Sequence, residues 1–412
     1  MTPEDRGRPK LSCFFISLLA IASLTVGANS SVAQTKVDAS AMQRLAERSK
    51  ETGSDAVIVY SQGKLIFEYH SDKKAHPIYL MSCLKSIVAL AVGEAIAEGK
   101  IKSIDEPVAD FYPEWHQGRK EAITIRHLLT QTSGLQHIGT GTEVYNVPDS
   151  VRLALAAELS TAPGSAFSYN NKALNLLSGI IHVATGSPLD IYVRDHFLAP
   201  MGITDWKWEK DEAGNAYAMS DLALKAEDFA KFGRLVLQKG VWQDKQLVPA
   251  AWVEQLGQQS QPYEPLYGLL WWRLATAVSG VLTDARLAEL AKGGASPQLI
   301  AQLTTLKDRP VHSSSEWHQL LAVALGPQWQ ETAYIPGVIG PYGSDIPAWS
   351  YAGFDGLAAE GYLGQYLAVF PDRSLVAVRQ IEYFKGYDYL RNRFEDFADL
   401  VRDLAPAKSA PK

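Results

Sequence analysis

Cysteine is nearly absent, with Cys13 and Cys83 the two examples in 412 residues. A chain so poor in cysteine has no disulfide framework, so its stability has to come from a buried core. Excess charge of one sign is missing too. The formal net charge is -6 and no stripe of clustered Lys and Arg runs along the chain, which argues against a nucleic-acid partner. The nine His residues fall into no metal-ligand spacing. There is no Gly-x-Ser-x-Gly elbow and no phosphate-binding loop, so an α/β-hydrolase nucleophile and nucleotide chemistry lack their usual motifs. Neither a metal nor a cofactor is expected.

What is present begins with Arg6, Arg8 and Lys10, an uncharged run from Leu11 to Ala28, and the small residues Ser31-Val32-Ala33. This pattern predicts a signal peptide over residues 1–33, export to the periplasm or medium, and a mature chain from near Gln34 without a stable membrane anchor. An uncleaved anchor is the competing reading, because the run is close to bilayer-spanning length. Cys13 precedes the apolar run and is wrongly placed for a lipoprotein. The rest, 34–412, reads as one catalytic unit. A helix is expected over 42–51, a hairpin from the runs 56–60 and 65–69, and a long Ala-rich helix from Ser82 to Glu98. Pro- and Gly-broken helices follow, and a second hairpin joins 366–369 to 375–379 before a final helix over 389–404.

Strands at both ends with helices between predict an α/β fold of the α+β type. An antiparallel sheet is built from both termini (36–100 and 345–405) around an inserted helical region over 101–265. Residues 275–343 read as a further insertion carrying two or three short helices.

Ser82-Cys83-Leu84-Lys85 sets a hydroxyl and an amine three residues apart at a helix start, on one face and within reach of each other. A helix N-terminus also offers backbone N–H groups to a developing oxyanion. Ser61, Ser71 and Ser409 also precede a Lys by three residues, but they lie in a turn, a charged loop and a tail. Lys85 sits in an apolar run where a charge is costly, which favours a tuned amine over a Ser N-cap beside a solvated Lys. The one Tyr-x-Asn in the chain, Tyr169-Asn170-Asn171, stands on a loop before a helical run. Alone it is ordinary loop chemistry; beside Ser82 and Lys85 it supplies a phenol and an amide for proton relay and substrate positioning. His127 reads as a structural His, and Trp271 and Trp272 as core or cleft wall with core favoured.

With these motifs, residues 123–135 (Ile-Thr-Ile-Arg-His-Leu-Leu-Thr-Gln-Thr-Ser-Gly-Leu) and 267–272 (Tyr-Gly-Leu-Leu-Trp-Trp) give a chain that resembles the serine beta-lactamase and penicillin-binding-protein-like superfamily. The resemblance is nearest to class C beta-lactamases, esterases and 6-aminohexanoate-dimer hydrolases. It implies Ser82 as nucleophile, Lys85 and Tyr169 as acid/base partners, and Asn171 as a substrate-positioning residue. It departs at the third family motif, a Lys-Thr-Gly or His-x-Gly, where Ala359-Glu360-Gly361 stands instead. Small Ala359 and Gly361 would let the backbone approach a substrate, but the cation that binds a substrate carboxylate is gone. The expectation is a serine hydrolase of small esters, amides or short peptide-like substrates. A class C-like beta-lactamase or D-Ala-D-Ala carboxypeptidase ranks second. A retired peptidoglycan-binding protein is the non-enzyme alternative.

Overall fold

Short, nearly continuous apolar runs build the central strands of a sheet that is covered on both faces. The computed structural model describes residues 37–406, apart from 72, 73, 140, 336, 337, 341 and 342. The expected signal peptide over 1–33 lies outside the described residues. Six strands, β1 (Ala56–Ser61), β2 (Lys64–His70), β3 (Trp272–Val281), β4 (Ala348–Gly361), β5 (Gln365–Phe370) and β6 (Leu375–Gln380), run in the order β2-β1-β6-β5-β4-β3. Every neighbouring pair is antiparallel. β1 and β6 come from opposite ends of the described chain and pair directly, Ile58 opposite Val378.

Successive side chains in a strand face opposite sides. Ile58, Leu367, Val369, Val376 and Val378 point into the larger core, which also holds helix α2 (Leu84–Ala97) and helix α3 (Ala226–Leu237). Val57, Val59, Ala368, Phe370 and Ala377 point the other way, onto helices α1 (Ala39–Glu51) and α4 (Phe397–Asp403). Close approach has a sequence cause. A Cβ on Gly233 of α3 would lie 2.6 Å from both Leu367 and Val376, and one on Gly93 of α2 would lie 2.2 Å from the Trp252 ring. α2 is buried almost all round, from Leu84 through Gly93, as a core helix must be when its whole circumference is apolar.

The mixed fold with an antiparallel sheet and flanking helices matches expectation, with two local differences. Residues 275–281, expected within the insertion, belong to β3 and pair along β4, Ala277 opposite Ala352 and Val281 opposite Ala348. The long β4 needs a partner for its backbone groups, and β3 supplies it. The insertion proper holds four helices among the described residues, Asp284–Lys292, Pro297–Thr304, Ser314–Leu325 and the short Trp329–Ala333, with their own core, including Leu290, Leu303, Trp317 and Trp329. The expected final helix is two, Tyr389–Asn392 and α4. They are split where Phe394 takes a left-handed φ of 59° while its ring is fully buried.

Arg379 of β6 is fully buried and ties the sheet to the tight β4–β5 turn. Its guanidinium donates to the carbonyls of Leu363 (2.9 Å), Gly364 (2.6 Å) and Asn392 (2.7 Å) and to Ser54 Oγ (2.9 Å). Losing it would strand several buried acceptors at about 1–3 kcal/mol each. Arg379→Met is therefore expected to lower unfolding free energy by about 3 kcal/mol or more in urea denaturation; a change below about 1 kcal/mol would contradict this role.

Candidate active site

Ser82 lies in a single 3-10 turn, Met81–Cys83, that runs into α2 at Leu84, so the helix opens two residues later than the sequence suggested. The residue before it, Met81, holds a φ of 50°, a left-handed backbone that costs a non-glycine residue about 1 kcal/mol or more and is tolerated where surroundings fix it. One helical turn on, the Lys85 side chain folds back. Its Nζ donates to Ser82 Oγ at 2.7 Å and to the Met219 carbonyl at 2.6 Å, and Lys85 is only 2% exposed. Burial pulls its amine from the ordinary 10.5 down to about 7, against the opposing pull of Asp221.

The Tyr169 hydroxyl interacts with Ser82, and the Lys85 Nζ sits 5.0 Å from the Tyr169 ring centroid. Burial pushes the phenol above its usual range, partly offset by the neighbouring Ser82 hydroxyl. The ring is held by Trp272, stacked at 6.4 Å, and by Tyr267, edge-on at 6.3 Å. The segment carrying both is pinned to α2: Ser86 Oγ donates to the Leu270 carbonyl (2.7 Å) and Trp271 Nε1 to the Ser86 carbonyl (3.2 Å). Ser82, Lys85 and Tyr169 thus converge at the mouth of α2.

They open onto a depression of about 210 Å³ lined by Ser82, Tyr169, Trp272, Glu360, Gly361, Tyr362, Gly364, Tyr366, Tyr389 and Arg393. Gly361 is on the lining; an added Cβ there would lie 2.6 Å from the Leu80 carbonyl, so only glycine lets β4 come this close to the Ser82 turn. Ala359 does not line it. Two residues back along β4, Ala359 is fully buried opposite Leu367 in the sheet-helix core. Asn171 is not on the lining either. Its side chain lies against the loop at Gly141, where a Cβ would sit 2.4 Å from Nδ2, and its buried Oδ1 has no hydrogen-bond partner among the described residues.

The Beta-lactamase family model matches residues 40–395. The chain belongs to that family. It is 34% identical to esterase EstB of Burkholderia gladioli over 146 residues, 31% of this chain and 37% of that protein. It is 26% identical to the penicillin-binding-protein-like PbpX of Bacillus subtilis over 174 residues, 39% and 43% of the two chains. The matched stretches thus cover less than half of these relatives. Among solved structures, the octameric penicillin-binding protein homologue of Pyrococcus abyssi superposes with a TM-score of 0.54 at 16% identity, over 86% of this chain and 75% of that one. At that identity the likeness speaks for the fold alone.

Of the side residues, His127 is structural. Its Nδ1 accepts the Thr124 backbone N–H at 3.1 Å and caps the short helix Ile125–Leu129. Trp271 is fully buried, whereas Trp272 is cleft wall. Away from the cleft, Glu68, His70 and Glu227 bring ligand atoms within 4.8 Å of one another, a surface grouping from two distant elements that no sequence spacing reveals.

The depressed Lys85 pKa has a thermodynamic sign. Between about 7 and 10.5 the unfolded chain binds the proton and the folded one does not, so this residue's contribution to stability rises with pH across that window. Unfolding of the native protein and of Lys85→Met is expected to show a free-energy difference moving by about 1.4 kcal/mol per pH unit in favour of the native chain from pH 7 to 10; a difference that does not move would rule out the depressed pKa.

Proposed function

We propose that the protein is a serine hydrolase that cleaves an ester or amide through a covalent acyl-enzyme on Ser82. The observation that carries the proposal is a buried amine, drawn down to about 7, donating to the Ser82 hydroxyl at 2.7 Å. An amine with that pKa is largely neutral above pH 7 and can accept a proton. In the proposed first step Ser82 Oγ attacks the substrate carbonyl and its proton passes to Lys85 Nζ. As the tetrahedral adduct collapses, the Tyr169 phenol gives its proton to the leaving group and is reprotonated by Lys85, which returns to the neutral amine. The leaving alcohol or amine departs with a proton and the acyl group stays on Oγ. Water then adds to the acyl carbonyl, its proton returns through the same pair, and the acid is released. Protons in such a pair are shared, so the two residues titrate as a unit.

Gly361 and the start of α2 are the proposed source of the N–H groups that receive the oxyanion. A second reading has one observation in its favour. Arg393 lines the depression and could replace the cation missing from position 359, which would suit the carboxylate of a beta-lactam or a D-Ala peptide. The lead stays with esters and linear amides, because the Arg393 guanidinium already lies over the Tyr389 ring, 5.4 Å from its centroid, and under the electrostatic pull of Glu360. Export remains part of the proposal, tested by sequencing the mature N-terminus, expected near Gln34.

Ser82→Ala is expected to lower kcat on p-nitrophenyl butyrate by about 10⁴ and to abolish a fluorophosphonate adduct that maps to Ser82 by intact mass and digestion. In the native enzyme kcat/KM is expected to fall about tenfold per pH unit below pH 7 as Lys85 takes up its proton. Unchanged turnover in Ser82→Ala would refute the nucleophile, and nitrocefin turned over faster than the ester would reverse the ranking of substrates.

A further inference from the structure

The walls of the depression have an uneven chemistry that the proposed reaction does not use. Five aromatic residues line it, Tyr169, Trp272, Tyr362, Tyr366 and Tyr389, and a single acidic residue, Glu360, is among them. The position is the middle one of the motif whose first residue carries a cation in relatives implied by the sequence; here a negative group takes the wall and Ala359 is small. Among the described residues Glu360 has no ion pair within 4.0 Å and no hydrogen bond from its carboxyl. Its pKa is raised by burial and by Glu395, and held back by Arg393. Its charge also reaches the Tyr169 hydroxyl, which puts it within electrostatic range of the nucleophile.

The one cation on the lining is spoken for. Arg393 interacts electrostatically with Tyr366, and its guanidinium carbon lies 5.4 Å from the Tyr389 ring centroid. This wall therefore already holds a positive group on an aromatic face. Aromatic rings around an anionic side chain are the surroundings that favour an ammonium ligand: the ring faces attract the cation, the carboxylate sets its position, and a quaternary nitrogen loses little hydration on entry.

We propose that the Ser82 depression selects esters or amides carrying an ammonium group close to the scissile bond, with Glu360 as the counter-ion and the surrounding rings as its cage. The inference rests on the hydrolase reading above and adds a substrate class to it. The cation enters beside Glu360 and the aromatic wall, and the carbonyl reaches Ser82 Oγ.

Two isosteric pairs test it at pH 8: butyrylcholine against 3,3-dimethylbutyl butyrate, and p-nitrophenyl esters of betaine against those of 3,3-dimethylbutyrate, each rate divided by its uncatalysed hydrolysis. A preference in kcat/KM of about tenfold or more for the cationic member of at least one pair is expected, equivalent to about 1.4 kcal/mol. In Glu360→Gln that ratio is expected to fall at least about fivefold. Equal rates in both pairs, a ratio unmoved in Glu360→Gln, or a carboxylate-bearing p-nitrophenyl succinate as the best substrate would overturn the inference. The last outcome would hand the site to Arg393. Fluorophosphonate labelling separates the two levels. Labelled Ser82 without a cation preference removes this inference and leaves the hydrolase standing. Unlabelled Ser82 removes the hydrolase, and calorimetric binding of butyrylcholine to native and Glu360→Gln protein then decides the cation site, with no binding, or equal binding, counting against it.

Discussion

The site depends on keeping an amine out of water. Lys85 sits inside a helix whose other buried neighbours are Leu84, Ile87, Val88 and Ala89, where a full charge is disfavoured. Its Nζ reaches two oxygens, a carbonyl and the serine hydroxyl, and no carboxylate lies within ion-pair distance among the described residues. A carboxylate partner would have held the amine protonated. With none within that distance and only the weaker pull of Asp221 opposing burial, the amine is left able to exchange a proton with Ser82.

The rest of the molecule serves that placement. α2 is fixed on one side by Trp252, whose Nε1 donates to the Ala89 carbonyl at 2.9 Å over Gly93. On another side the 267–272 segment is fixed by the two hydrogen bonds at Ser86, and it carries Trp272 against Tyr169. The cleft's far wall comes from the sheet. Arg379 anchors the turn at Leu363 and Gly364, the end of β4 presses Gly361 toward Leu80, and the break at Phe394 leaves Tyr389 and Arg393 beside them. A helix core holds the reactive groups, and a sheet edge decides what meets them.

Much of this was legible in the sequence where the cause is local. A three-residue offset in an apolar run announces Ser82 and Lys85, and short apolar, β-branched-rich runs bounded by turn residues announce β1, β2, β5 and β6 with ends within a residue or two. Tyr169 needed the two motifs taken together. β3 was hidden because Ala275-Thr276-Ala277 lacks apolar alternation, its pairing being dictated by β4. Ala359 and Asn171 do not line the depression, because a motif gives residue type and order while strand depth and loop packing decide which side chains reach it. Glu360 stood in plain view inside a motif read for its small residues. Arg393 and Tyr389 reach the cleft only through long-range folding and left no local signal.

The central claim is that burial leaves Lys85 neutral near physiological pH. It is met most directly by ¹³C NMR of protein carrying ¹³Cε-lysine, with the Lys85 resonance assigned by its loss in Lys85→Met. A titration midpoint near 7 is the result this structure predicts, and a midpoint near 10.5, the value of a solvated lysine, would contradict it.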